Sequence, residues 1–169
     1  MHDQPVYEAQ EAGPFFADGR ASRPPVEGTV SRDDPPFGVL DVTGKVDGVF
    51  VAKAPIVLDA AVLARGHDRY DVFCSPCHDR VGSGDGMIVQ RGFRRPPSLH
   101  EPRLRSVADG YIFDVITHGF GVMPPYAAQI PTRDRWAIVG YVRALQLSQD
   151  APVSALTPDE RAKLGGATP

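Results

Sequence analysis

A mainly α-helical domain preceded by a long extended arm is the fold class this sequence predicts, and three observations predict it. Prolines crowd the first 58 residues, at Pro5, Pro14, Pro24-Pro25, Pro35-Pro36 and Pro55. Beyond Leu58, apolar residues recur at spacings of three and four in three separate stretches, the mark of helices with one buried face. Between the first and second of these stands Cys74-Ser75-Pro76-Cys77-His78, which holds the only two cysteines among 169 residues. The expected organisation is an extended arm over 1–58, a helical domain with three core helices over 59–150, and an appendage with one short helix over 151–169.

Composition narrows the function classes. Net charge is −3, and no run of basic and aromatic residues occurs, so nucleic acid is not an expected partner. No apolar stretch is long enough to cross a bilayer. The first residues also lack the charged and apolar regions of an export signal.

In the arm, each proline fixes φ, removes a backbone donor and restricts the preceding residue, which disfavours helix. Val6, Tyr7, Phe15, Phe16, Phe37, Val49 and Phe50 make it too apolar for a purely solvating tail. Phe37–Leu40 and Gly48–Val51 read as short strands around turns at Gly44 and Asp47-Gly48. The arm is expected to order against a partner protein through aromatic anchors; a disordered leader with incidental hydrophobes is the alternative.

The first helix is expected from an N-cap at Asp59 to about Phe73, with Val62, Leu63, Gly66, Tyr70 and Phe73 on one face. Gly66 inside a helix costs about 1 kcal/mol relative to Ala, so it is read as the point where another helix comes close. Ser75-Pro76 ends regular helix. Gly82-Ser83-Gly84-Asp85-Gly86 reads as a flexible turn; a phosphate loop is ruled out, since no G-K-[ST] follows. A second helix spans Asp109–Thr117 and stops at Gly119. The third runs from an N-cap at Thr132 to about Leu147, apolar around much of its circumference, with Gly140 marking a second close crossing. Thr157-Pro158-Asp159-Glu160 is a capping box for a short helix through Leu164.

The chemistry centres on Cys74, Cys77 and His78. C-x-x-C-H is the attachment signature of c-type haem: each thiol forms a thioether, and the adjacent histidine becomes an iron ligand. A C-x-x-C pair also suits half a zinc site or a thioredoxin-like redox centre. Zinc needs a second ligand pair, however, and no further cysteine or H-x-x-x-H motif exists. Thioredoxin needs a βαβ context, whereas this stretch has helical periodicity. Met123 lies in the irregular Gly/Pro loop Phe120–Tyr126. Alone it is a gap-filling side chain; downstream of C-x-x-C-H it becomes the candidate second axial ligand, because His/Met is the axial pair of cytochromes c. His118, at a helix end, is the lesser rival. Pro97, within Pro96-Pro97-Ser98-Leu99, offers a carbonyl to the second ring nitrogen of His78. The cluster Arg91, Arg94, Arg95, Arg103 and Arg105 is open to three readings: a solvated loop, a dock for an acidic partner, or a clamp on haem propionates.

Taken together these residues resemble the class I cytochrome c fold over roughly 58–150. Gly66 and Tyr70 match the small and aromatic positions of that family's first helix, and Ile138, Tyr141 and Val142 match the helix face that crosses it. Pro97-Ser98-Leu99 looks like the segment beside the proximal histidine, and Ile116–Pro124 like the distal segment with Met123 as ligand. The resemblance implies one covalent haem c held by Cys74 and Cys77, ligated by His78 and Met123, and walled by Pro97 and Leu99. It implies an electron carrier without catalysis of its own.

Met1–Pro5, Phe15–Arg20, Arg23–Val30, Tyr70–His78 and Met123–Trp136 further resemble the monohaem cytochrome c subunit of bacterial alternative complex III, a quinol:electron-acceptor oxidoreductase. That resemblance implies partners within a membrane respiratory complex, including a multihaem cytochrome as donor and a terminal oxidase or soluble carrier as acceptor. It also implies a place on the periplasmic side of the inner membrane, with a signal and a lipid-bearing cysteine upstream of Met1. No such cysteine is present here, since both are assigned to haem. Three rivals stand beside this reading: a free-standing periplasmic shuttle, a haem enzyme with an open distal position, and a zinc-binding interaction module.

Overall fold

The computed structural model describes residues 11–23 and 43–165 together with Tyr7, Val26 and Thr29. Two compact units are present, residues 1–36 and 37–169. In the first, a loop closes where Ala12 bridges Arg20 and Gly13 N–H donates to Gly19 O. Arg23 binds the Asp18 carboxylate at 2.6 Å and lies over the Phe16 ring. The expected strand at Phe37–Leu40 lies outside the described residues.

The second unit starts well before Leu58, so residues 43–57, assigned to the arm on compositional grounds, share a unit with the helices. Strands β1 (Lys45–Val46) and β2 (Val49–Phe50) form an antiparallel hairpin about Asp47-Gly48. Both turn residues have positive φ, the conformation Asp-Gly hairpin turns favour.

Helix α1 covers Ala60–Phe73, and the Asp59 carboxylate accepts from Val62 N–H as the sequence predicts. The short α2 (Ser75–His78) carries the cysteine motif, α3 spans Pro102–Ser106, and α4 spans Asp109–His118, one residue longer than predicted. Helix α5 covers Thr132–Gln149 and α6 covers Pro158–Gly165. Thr132 is not the N-cap of α5. Pro131 takes that position, and the Thr132 hydroxyl accepts from Arg135 instead. The capping box of α6 forms in both directions, between Thr157 N–H and Glu160 Oε2 and between Glu160 N–H and Thr157 Oγ1.

Helices α1 and α5 make the principal packing contact. A Cβ added to Gly66 would stand 2.1 Å from Ala137 O and 3.0 Å from Tyr141 Cβ, so only glycine admits this crossing. Arg65 of α1 forks onto Asp134 in the first turn of α5, at 2.9 and 2.6 Å. Gly140 serves a different purpose from the predicted helix crossing: its nearest neighbour is the Leu58 side chain. Tyr70, Phe113, Ile116, Ile130, Trp136, Ile138, Val139 and Val142 form the core, whereas Leu147 is exposed.

Candidate cofactor site

An apolar cavity of about 300 Å³ opens among α1, α2, α4, α5 and the loops between them. Cys74, His78, Pro97, Leu99 and Met123 all line it. Cys77 sits half-buried on the same turn, outside the cavity wall. Ile112, Val115 and Ile116 of α4 and Ile138 and Val142 of α5 supply an apolar wall, and Arg94, Arg95 and Arg103 supply a cationic one. His118 is not a wall residue. It is 65% exposed, and its Nδ1 lies 3.2 Å from the Asp114 carboxylate.

The C-x-x-C-H turn is held from several sides. Tyr70, buried in α1, donates from its hydroxyl to Asp79 O at 2.9 Å. Asp79 follows His78 with φ of 58°, and its carboxylate accepts from Val81 N–H, Ser83 N–H, Ser83 Oγ and Asp85 N–H. Partial burial pushes the Asp79 carboxyl up, but these donors outweigh it and its pKa falls below the ordinary value. The glycine-rich segment is therefore a packed turn rather than a flexible one. Gly84 N–H donates to His78 O and Gly86 N–H to Cys77 O. A Cβ on Gly86 would meet Pro76 O at 2.3 Å.

Burial pushes the Cys74 thiol up to about 12, with the neighbouring Cys77 adding to the shift. Burial also lowers the pKa of His78, which favours the neutral imidazole that binds metals. Its Nδ1 is buried without a hydrogen-bond partner, so the predicted bond to Pro97 O is not made. The adjacent proline carbonyls turn toward Gly84 instead: Pro96 O lies 2.5 Å and Pro97 O 3.6 Å from where a Gly84 Cβ would stand.

Met123 is presented by a tight loop in which Phe120 and Met123 exchange two backbone hydrogen bonds of 3.0 Å. The arginine cluster divides. Arg94, Arg95 and Arg103 border the cavity, Arg105 pairs with Asp150, and Arg91 is exposed. Gln146 also lines the cavity while donating to Leu99 O at 2.7 Å. It lies four residues beyond Val142 on α5, so helical periodicity alone places it on the same face.

The residues fit a c-type haem on structural grounds. Two thiols and a histidine share one short turn, the histidine has an orphaned ring nitrogen, and a methionine lines the same apolar cavity. Among the described residues no group of three or more His, Cys, Asp and Glu side chains is arranged to hold a metal ion.

Residues 61–142 match the model of a family described as cytochrome c oxidase, cbb3-type, subunit III. No curated protein matches the chain. The match spans the attachment turn, Met123 and most of the α1–α5 crossing. That match supports a cytochrome c domain over residues 61–142; the mainly helical architecture fits the class I cytochrome c fold, and the family supports haem-based electron transfer.

Proposed function

We propose that this chain carries a single haem c, bound covalently through Cys74 and Cys77 and ligated by His78 and Met123, as the electron-transfer subunit of a membrane quinol:electron-acceptor oxidoreductase of the alternative complex III type. The observation that carries the haem reading is the shared cavity: Cys74, His78 and Met123 line one apolar space with arginines along one side. When bound, haem supplies a one-electron Fe(III)/Fe(II) couple, which a thioether ligand tunes upward in potential. The protein's own residues hold and insulate that couple. Burial favours the neutral form of His78; Met123 is held by its two-bond loop; aliphatic side chains of α4 and α5 make the wall apolar. Arg94, Arg95 and Arg103 are positioned to neutralise carboxylates at the cavity edge, where guanidinium groups bind in forked geometry. His78 and Met123 would both hold the iron, and a haem held in this way would serve as an electron carrier.

The complex-level reading rests on the sequence resemblance of the arm and the haem segments. It assigns a multihaem cytochrome as donor, an oxidase or soluble carrier as acceptor, and the periplasmic face of the membrane as location. The test is to purify the protein from its native membrane and record oxidised and reduced spectra with a pyridine haemochrome assay. One c-type haem per chain, a weak methionine–iron band in the oxidised state and a co-purifying multihaem cytochrome are expected. A high-spin spectrum removes Met123 as ligand. Haem-bearing protein that elutes alone supports the free-standing shuttle.

A further inference from the structure

We infer, resting on the electron-transfer reading above, that Gln146 is a positioning residue for the redox centre: with Arg143 it fixes the 99–107 segment so that Arg103 stands at the cavity edge, where its cation raises the reduction potential. The short helix α3 brings Arg103 and Leu104 to the cavity wall. Five residues cannot satisfy the backbone groups at their own helix ends, and no side chain caps the start of α3. Arg103 is exposed, and among the described residues it enters no ion pair. Its place at the cavity edge therefore depends on how the backbone beneath it is held.

Two side chains on one face of α5 hold that backbone. Arg143 donates to the carbonyls of Leu104 at 3.3 Å and Arg105 at 3.2 Å, and to that of Val107, the acceptors that the end of α3 leaves without helical partners. Gln146 takes the other side of the segment. Its Nε2 donates to Leu99 O at 2.7 Å and lies 3.4 Å from Leu104 O, while its Oε1 accepts from Arg143 at 2.7 Å. Leu99 is pinned from the opposite direction as well, its N–H donating to Gly82 O at 2.8 Å in the turn after His78. Gln146 is only 6% exposed although it lines the cavity. A buried amide is costly unless its polar atoms are engaged, and these are directed at the 99–104 backbone and Arg143. Gln146 thus acts on the centre through the segment it holds, and the charged side chain which that segment presents to the cavity is Arg103. A cation at the edge of a one-electron couple favours the reduced form, because reduction removes one unit of positive charge.

The test is a redox titration of holoprotein at low and high ionic strength for Arg103→Gln, Gln146→Leu and the double variant. Arg103→Gln is expected to lower the potential, a fall of about two- to tenfold in the equilibrium constant for reduction. The gap to the unaltered protein narrows as salt screens the exposed cation. Gln146→Leu nearly preserves volume but neither donates to Leu99 nor accepts from Arg143. It is expected to lower the potential with the same salt dependence while the weak methionine–iron band persists. The double variant falls no further than Arg103→Gln alone, the non-additivity that action through a shared group requires. Where Gln146→Leu fails to load haem, Gln146→Asn takes its place, alone and in the double variant: it keeps the amide but withdraws it by one methylene, and a smaller shift of the same sign is expected. An unchanged potential in Arg103→Gln, no shift or a salt-independent shift in the Gln146 variant, or shifts that add in the double variant each overturn the inference. Absence of haem from the unaltered protein defeats the electron-transfer reading itself; haem-bearing protein with additive shifts defeats the positioning role alone.

Discussion

Met123 owes its place in the cavity wall to the two glycines that flank its loop. Gly119 has φ of 79° and Gly121 φ of 60°, values that side-chain-bearing residues adopt only at a cost. A Cβ at Gly119 would also stand 2.5 Å from Met123 O. One residue earlier, His118 points to solvent and pairs with Asp114. The two rival ligands therefore separate cleanly in a mutational test. Met123→Ala is expected to give a high-spin haem and a fall in potential of tenths of a volt, within the ~0.8 V that axial ligands command; His118→Ala is expected to leave spectrum and potential unchanged. Electronic spectra and a redox titration decide it. Met123 came into question as a ligand only because C-x-x-C-H stands upstream; alone, a methionine in a Gly/Pro loop reads as a gap-filling side chain, and the structure puts it on the cavity wall. Asp79 was not readable from sequence. An acid after a histidine looks like a solvated charge, and only the folded turn reveals that its carboxylate gathers donors from Val81, Ser83 and Asp85.

At the scale of elements, periodicity located the helices and turn chemistry located the hairpin, because both signals are local. The errors arose where a neighbour in space took over a local role. Thr132 looked like a cap, but Arg135 engages its hydroxyl. Gly140 looked like a helix crossing, but Leu58 fills the space beside it. Gly66 is the case in which the local cost and the distant reason agree, since the backbone of α5 lies against it at Ala137. Gly66→Val is accordingly expected to destabilise the fold by about 3 kcal/mol, the upper part of the usual range for overpacking. Chemical denaturation of the holoprotein measures the loss; an unchanged midpoint would mean that α1 and α5 pack differently.

On the scale of the whole molecule, one buried ion pair connects segments that are far apart in sequence. Asp109 is almost fully buried, accepts from Ala54 N–H at 2.9 Å and binds Arg143 Nε at 2.6 Å. Arg143 also donates to the carbonyls of Leu104, Arg105 and Val107 and to Gln146 Oε1. The segment ahead of α1, the start of α4, the arginine-bearing stretch around Arg103 and the end of α5 are thereby tied together. The network was not legible in the sequence, because Asp109 lies 55 positions from Ala54 and 34 from Arg143. Arg143→Met removes the cation and leaves a buried carboxylate, a change expected to cost about 3–5 kcal/mol. Removing Asp109 as well, as Asp109→Leu with Arg143→Met, should recover part of that loss. Urea unfolding of both single variants and the double variant tests both statements, and losses that simply add in the double variant would show that the pair is not coupled. The same network ties residue 54 into the compact unit that reaches upstream of Leu58.

Trp136 is the sole tryptophan of the chain. It is buried in α5 and stacks on Phe113 of α4 at 4.1 Å. The molecule therefore carries a single indole chromophore, buried in its core. Ultraviolet emission from that indole comes from one seam, between α4 and α5, and is silent about the arm. In the haem-bearing protein that emission is expected to be quenched by energy transfer to the haem, and to return when unfolding carries the seam away from it.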